Sequence, residues 1–165
     1  MPLTRFVLVE TSHAGNVGAA ARALKVMGFD DLVLVSPRWP NVTKKQDAIA
    51  LASGALDVLE HARTVSTIAE ALDGVTHVCA TAMTPRDFGP PTIAPRVHFA
   101  SIANEPPDIA FVFGSERFGM SNDDVYRSHV CLSIPTAPGY GSLNLGQAVQ
   151  LIAYDWRQAQ GGFAV

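Results

Sequence analysis

The residues best suited to chemistry fall in four segments, each of which directly follows an apolar run that predicts a β-strand. They are residues 10–22, 81–86, 114–121 and 135–146, and each mixes glycine or proline with hydroxyl, amide or charged side chains. In open α/β sheets, ligands bind beyond the carboxyl ends of the strands. The four segments together therefore predict one binding site at that edge of a sheet.

None of these segments matches a common nucleotide or hydrolase motif. Gly15 and Gly18 lack the G-x-G-x-x-G pattern of a dinucleotide fold, and no Gly-Lys-Ser/Thr follows them as in a phosphate-binding P-loop. The run Gly114-Ser115-Glu116 lacks the G-x-S-x-G spacing of a nucleophile elbow. A glycine loop at a strand end is also common for geometric reasons alone, so each segment taken singly is weak support for a site.

The elements that must position these segments alternate along the chain. Apolar runs predict strands at 6–9, 32–35, 75–80, 109–113 and 130–134. Helices are predicted at 19–27, 47–53, 67–72, 123–128 and 145–160, with 12–18 as a loop. Continuous apolar strands that alternate with helices are typical of an α/β fold, in which a mostly parallel sheet has helices on both faces.

The bulk properties fit one compact domain spanning residues 1–165. The chain is 48% hydrophobic and 16% charged, so it can bury a core. Its net charge of −3 argues against binding nucleic acid with the whole surface, but it permits a local basic patch. Candidates for that patch are Arg22, Lys25, Arg38, Lys44, Lys45, Arg86 and Arg117. No signal peptide or membrane-spanning run is recognisable, which predicts a cytoplasmic protein without a membrane partner.

The cysteines and histidines predict neither a disulfide nor a metal site. Cys79 and Cys131 each lie within an apolar run and are interpreted as small buried side chains. The five histidines are scattered, and no His-x-x-x-His or Cys-x-x-Cys arrangement occurs. No metal is therefore expected.

Taken together, three ordered motifs resemble the SPOUT class of RNA methyltransferases, in particular the TrmH branch and the TrmJ group within it. The first motif runs from Val9 to Arg22, the second from Phe111 to Gly119, and the third is Ser142-Leu143-Asn144-Leu145. The resemblance extends from Phe6 to about Trp156. It implies an α/β sheet whose C-terminal part is threaded into a trefoil knot.

The resemblance implies that S-adenosylmethionine binds in the loops of the knot, mostly through backbone groups. The matching cofactor positions are Thr81, Ala82, Met83, Gly114, Ile134, Gly141, Ser142 and Leu143. An adenine needs an apolar slot beside backbone donors and acceptors, and glycine lets the main chain approach closely. Ile134 and Leu143 could equally be ordinary core residues.

The resemblance also implies roles for five polar residues in catalysis or substrate placement: Asn16, Arg22, Glu116, Ser142 and Asn144. A guanidinium is a poor proton acceptor, so we expect Arg22 to hold a phosphate beside the target ribose. Glu116 could orient Asn16 or Arg22, or hold loop N–H groups. Asn144 could bind the ribose or simply cap the last helix. Arg86 and Arg117 are weaker candidates for RNA contact.

The implied activity is S-adenosylmethionine-dependent 2′-O-methylation of cytidine or uridine ribose in tRNA, at position 32 of the anticodon loop. The alternatives are 2′-O-methylation of another RNA such as rRNA, or a non-catalytic RNA-binding module with the same fold. The family works as a homodimer whose site is completed across the interface. Many TrmJ proteins continue into a C-terminal helical extension that helps hold tRNA, whereas this chain stops at Val165, so tRNA affinity is the property most in question.

Overall fold

The fold is built on one parallel β-sheet. The computed structural model describes residues 1–82 and 86–165, and in these the sheet has seven strands in the order β3-β2-β1-β6-β4-β7-β5. The strands are β1 Thr4–Val9, β2 Asp31–Val35, β3 Arg63–Val65, β4 His77–Thr81, β5 Thr92–Ile93, β6 Ile109–Phe113 and β7 Val130–Leu132. Every pair is parallel, which confirms the predicted sheet type.

Helices cover both faces of the sheet. They are α1 Ala14–Val26, α2 Gln46–Ala52, α3 Leu56–His61, α4 Ile68–Ala71, α5 Pro95–Ile102, α6 Asn122–Tyr126 and α7 Leu145–Ala159, with a 3₁₀ turn at Val42–Lys44. On one face, Phe6 packs in a core with Phe99 of α5 and Trp156 of α7. On the other, Val7 packs in a core with Val125 of α6. Because strand residues alternate between faces, both sides of each central strand are apolar.

The predicted loop at 12–18 is wrong, because α1 already begins at Ala14. The glycines that suggested a loop serve helix packing instead. A Cβ on Gly18 would collide with the backbone carbonyl of Ala48, so glycine lets α1 and α2 approach closely. Two short strands, β3 and β5, and two helices, α3 and α5, were not predicted. Short edge strands bury few residues and leave little pattern in a sequence.

The interpretation of the two cysteines is confirmed. Cys79 and Cys131 are free and buried. Within the described residues, no helix is long and apolar enough to cross a membrane. The histidines, however, are less scattered than predicted, because His77 stacks against both His98 and His129. The trefoil knot stays a prediction.

The sheet order brings the predicted site together. Strand β6 lies between β1 and β4, and β4 also pairs with β7. The segments that follow these four strands therefore leave the same edge side by side. The two loops after β1 and β6 are immediate neighbours, although about a hundred residues separate them in the chain.

Candidate functional site

A cavity of about 830 Å³ opens at the carboxyl edge of the sheet. Segments after β1, β4, β6 and β7 all contribute to its wall. The predicted site residues that line it are Asn16, Thr81, Ala82, Arg86, Gly114, Glu116, Ile134, Gly141, Ser142, Leu143 and Asn144. Its volume falls in the range of small-molecule and cofactor sites.

The carboxylate of Glu116 joins the loop after β6 to the loop after β1. One oxygen accepts the backbone N–H of Ser12 at 3.0 Å. The other accepts hydrogen bonds from the Thr11 hydroxyl, the His13 N–H and the Asn16 side-chain amide at 2.8, 3.1 and 2.8 Å. Of the sequence alternatives, Glu116 therefore both holds loop N–H groups and orients Asn16. No hydrogen bond connects it to Arg22 in the part of the chain that is described.

Glu116 remains an anion at neutral pH. Burial raises the pKa of its carboxyl, but the hydrogen bonds from Asn16, Ser12 and Thr11 outweigh this and hold the pKa below its ordinary value. The carboxylate also lies at the start of α1, a helix whose first turn has no acidic residue of its own. A negative charge there is stabilised by the positive end of the helix dipole.

Asn16 and Asn144 extend this network to the loop after β7. The Asn144 side-chain amide donates to Asn16 Oδ1 at 3.1 Å. Asn144 Oδ1 accepts the N–H of Gly146 at 2.8 Å, and Gln147 Oε1 accepts the Asn144 N–H at 3.2 Å. Asn144 thus caps α7, which confirms one of its two sequence interpretations, and it also fixes Asn16. Its contact with a ribose stays a prediction.

The loop after β7 forms a further part of the cavity wall. Ser142 is exposed at the cavity, while Gly141 and Leu143 are half-buried. Ile134 is half-buried, lines the cavity and packs against the main core. Its two sequence interpretations, core residue and cavity wall, are therefore compatible.

A glycine is required at position 114 because the protein's own backbone passes close to it. A Cβ at this position would collide with the backbone of Gly119 and Met120. That segment returns over Gly114 through a tight turn, in which Ser115 pairs with Gly119 and the Ser115 hydroxyl accepts the Phe118 N–H at 2.9 Å. The glycine therefore permits a close approach of the protein's own backbone.

The loop after β4 contributes Thr81 and Ala82. The Thr81 hydroxyl donates to the carbonyl of Val112 at 2.9 Å, and the Ala82 N–H donates to the carbonyl of Leu132 at 3.2 Å. Both donors are thus used in hydrogen bonds to neighbouring strands. Thr81 and Ala82 would therefore contact a ligand mainly through van der Waals packing. Met83 lies outside the described residues.

The three arginines predicted at the site have different settings. Arg22 is exposed on α1, about two turns beyond Asn16, and does not line the cavity. Arg86 lines the cavity, and its guanidinium donates to the Asn122 side chain and the Met120 carbonyl. Arg117 is exposed, and its guanidinium lies 5.2 Å from the centre of the Phe118 ring.

Sequence reasoning missed several residues of the cavity wall: His13, Phe113, Ser115, Phe118, Gly119, Met120, Leu132, Leu145 and Ala148. Most are apolar and lack chemical character of their own. Phe118 is unusual because it is 79% exposed although it borders the cavity. Its exposure is not visible in the sequence, but an aromatic residue between Arg117 and Gly119 in the polar second motif was a signal that could have identified it.

Comparison with known proteins gives consistent matches. The model of the SpoU rRNA methylase family matches residues 4–154. The curated tRNA (cytidine/uridine-2′-O-)-methyltransferase TrmJ of Pectobacterium atrosepticum is 46% identical over 158 residues. This alignment covers 94% of the present chain but 64% of the TrmJ protein. The chain thus spans somewhat less than two-thirds of the length of that curated relative.

Solved structures agree with the sequence matches. A probable methyltransferase from Bordetella pertussis Tohama I is 45% identical and has a TM-score of 0.86. The alignment covers 96% of each of the two chains. TrmJ from Z. mobilis ZM4 is 38% identical and also has a TM-score of 0.86. The alignment covers all of this chain and 72% of the Z. mobilis chain. Identity at this level extends the likeness beyond the fold alone.

Proposed function

Because the chain belongs to the SpoU rRNA methylase family, we propose that it transfers the methyl group of S-adenosylmethionine to a ribose 2′-hydroxyl of tRNA. The target is a cytidine or uridine at position 32 of the anticodon loop, and the enzyme acts in the cytoplasm. The observation that supports this best is the hydrogen-bonded series Glu116–Asn16–Asn144. It unites all three sequence motifs at one cavity.

The cavity fits the cofactor. Ile134, Leu132 and Leu143 provide apolar surface for an adenine, and the rim carries amide and hydroxyl groups. When bound, S-adenosylmethionine supplies a methyl group activated by a positive sulfonium. Four donors already bind the Glu116 carboxylate, three on one oxygen and one on the other, so most of its lone pairs are used within the protein. We therefore assign it a positioning role.

The protein's part in the reaction is alignment. Asn16 is held from both ends of its amide, by Glu116 and by Asn144, so it presents a fixed polar group to an incoming ribose. Ser142 adds an exposed hydroxyl at the same cavity. A preorganised site of this kind lowers the barrier by placing the attacking oxygen in line with the methyl carbon.

Arg22 completes the site from a second copy of the chain. It is exposed on α1 and does not line the described cavity, so the described residues of its own protomer give it no catalytic contact. In the proposed homodimer, Arg22 of the partner subunit would hold the phosphate beside the target ribose. A planar guanidinium is well suited to bind phosphate with two hydrogen bonds.

RNA contact would extend around the rim. The Arg38 guanidinium and the Lys45 ammonium lie 4.5 and 5.0 Å from the centre of the Trp39 ring. The backbone N–H of Arg38 donates to the Thr11 carbonyl, which ties this cluster to the loop after β1. Two cations beside an aromatic ring suit a phosphate backbone with an unstacked base. Arg86 and Arg117 are further candidates.

The test is methyl transfer from labelled S-adenosylmethionine to unmodified tRNA, with mapping of the modified nucleotide. Arg22→Ala is compared with Arg96→Ala, which removes an exposed arginine of α5. We expect transfer to ribose 32, lost in the first variant and kept in the second, with cofactor binding unchanged in both. Modification of rRNA fragments instead would support the alternative substrate, and cofactor binding without transfer to any RNA would contradict the proposed activity.

A further inference from the structure

Three potential metal ligands meet at the amino edge of the sheet, opposite the candidate active site. His77 is the first residue of β4, and its Nε2 lies 2.8 Å from Nε2 of His98 on α5. The Sγ atom of Cys79 completes the group, in which all donor atoms lie within 4.8 Å of one another. None of the three residues lines the active-site cavity.

The fold explains why these residues meet. Side chains two apart on a strand point to the same face, so His77 and Cys79 share the face that α5 covers. Phe99 of α5 is fully buried in the same core as Cys79, which fixes the helix there. His98 is its neighbour in the chain and reaches the edge beside His77. No spacing rule could reveal this, since 21 residues separate the two histidines.

We propose that His77, Cys79 and His98 form a site for a divalent transition metal of the zinc type. Two imidazoles and one thiolate are ligands that zinc prefers, and three protein ligands leave the fourth position of a tetrahedral ion to water. His77 and His98 are half-buried, so an ion has access from solvent, while Cys79 lies beneath them.

The geometry needs little adjustment. In a tetrahedral zinc site, with bonds of about 2.0–2.1 Å to nitrogen and about 2.3 Å to sulfur, neighbouring nitrogens lie about 3.3 Å apart and nitrogen and sulfur about 3.6 Å apart. The two imidazole nitrogens would separate by about half an ångström from the 2.8 Å observed. The sulfur would approach each nitrogen by at most about 1.2 Å, from the 4.8 Å limit to about 3.6 Å.

Metal binding changes the protonation of the three ligands. Two neutral imidazoles at hydrogen-bond distance share one proton between their Nε2 atoms, and this proton moves to the Nδ1 atom of the same ring when both Nε2 atoms bind the ion. Burial raises the pKa of the Cys79 thiol, so the free protein holds it protonated. Metal binding therefore forms one sulfur–metal bond, breaks the S–H bond and releases one proton to solvent.

His129 supports the site without binding the ion. Its ring stacks on His77 with centres 5.3 Å apart, and its Nδ1 accepts the backbone N–H of Val78 at 2.9 Å. This hydrogen bond fixes the proton of a neutral ring on Nε2, which removes that nitrogen as a ligand. The site would thus join α5 to β4 and stabilise the fold, independently of methyl transfer.

The experiment is a Co²⁺ titration of the untagged, chelator-treated protein, because tetrahedral cobalt absorbs visible light and its bond to thiolate adds a charge-transfer band. We expect one ion per chain, a thiolate band, one proton released per ion, and a higher melting temperature with Zn²⁺. The same titration is repeated on Cys79→Ala, His98→Asn and the control His61→Asn, which changes an exposed histidine of α3.

The proposal requires Cys79→Ala to lose the thiolate band. It also requires His98→Asn to lose more metal affinity than the loss of about 10- to 100-fold that is typical when a residue beside a ligand is changed. The control should bind as the parent does. If Cys79→Ala does not fold, the His98→Asn variant alone tests the proposal. The His98 side chain is partly exposed, so its replacement is expected to leave the fold intact. Absence of stoichiometric binding, a spectrum without a thiolate band, or equal affinity in His98→Asn and the control would each overturn it.

Discussion

The side-chain amide of Asn16 donates a 2.8 Å hydrogen bond to the carboxylate of Glu116, which lies 100 residues later in the chain. This bond joins the first and second motifs of the SpoU fold across neighbouring strands. The same carboxylate accepts two backbone N–H groups at the start of α1. Its charge therefore fixes both the loop and the amide that faces the cavity.

We expect Glu116→Gln to lower the rate of methyl transfer about 100-fold, because the new amide turns an N–H₂ group toward donors that need an acceptor. The measurement is single-turnover transfer, with cofactor affinity determined separately and expected to stay close to that of the parent. Glu60→Gln, an exposed change on α3, is the control. Equal rates in the two variants would show that the Glu116 charge is unimportant for positioning.

The sequence predicted which residues meet at this site better than it predicted the helices and loops that carry them. The motifs supplied Asn16, Glu116 and Asn144, and the parallel sheet placed their loops at one edge. Their contacts could not be predicted, because hydrogen bonds over 100 or 128 residues depend on the strand order. The helix start at Ala14 was missed for a related reason. A packing glycine such as Gly18 and a loop glycine look the same until the opposing helix is known.

Asn144 allows its two roles to be separated. Serine is about as good a helix N-cap as asparagine, but its side chain is too short to reach Asn16. We expect Asn144→Ser to keep the stability of the protein within a few tenths of a kcal/mol and Asn144→Ala to lose about 1 kcal/mol. Both should lower transfer about tenfold, because Asn16 loses its partner.

Thermal unfolding and transfer rates of the two Asn144 variants are the measurements. If Asn144→Ser retains full activity, the bond to Asn16 is dispensable and Asn144 acts only as a cap. If both variants lose activity in proportion to stability, the effect belongs to folding and the positioning role fails.

Gly114→Ala should destabilise the protein by about 3 kcal/mol, because the added methyl group meets the backbone of Gly119 and Met120, which no rotamer change can relieve. Gly54→Ala is a matched control, since nothing lies within 4 Å of the position its Cβ would take. Denaturant unfolding compares the two. A Gly114→Ala protein as stable as the control would mean that the turn after β6 shifts freely.

A shared active site predicts complementation between two inactive variants. Homodimers of Arg22→Ala and of Glu116→Gln should each be impaired. After unfolding and refolding together in equal amounts, half of the dimers are mixed, and one of the two sites in each mixed dimer has both residues intact. Transfer should therefore recover to about a quarter of the parental rate. Recovery would not occur if Arg22 acts within its own protomer, because every site would then lack one residue.

Acid should weaken the metal-free protein through the histidines at the amino edge. Burial, followed by the nearby His98 and His129, lowers the pKa of His77 from 6.5 to about 4, and burial lowers the pKa of His98 as well. The unfolded chain therefore binds protons that the folded state resists. The stabilising effect of the neutral rings is complete above pH 6.5 and is lost as the pH falls toward 4.

The check is chemical denaturation from pH 7.5 to 4.5 in the presence of a chelator, for the parent, His77→Asn and the exposed control His61→Asn. This range ends at the ordinary glutamate pKa of 4.5, where the separate loss from protonation of Glu116, whose folded pKa is lower, only begins. The parent and the control should lose stability together as the pH falls, while His77→Asn should have a flatter profile. Identical slopes in all three proteins would mean that the stacked histidines do not control acid sensitivity.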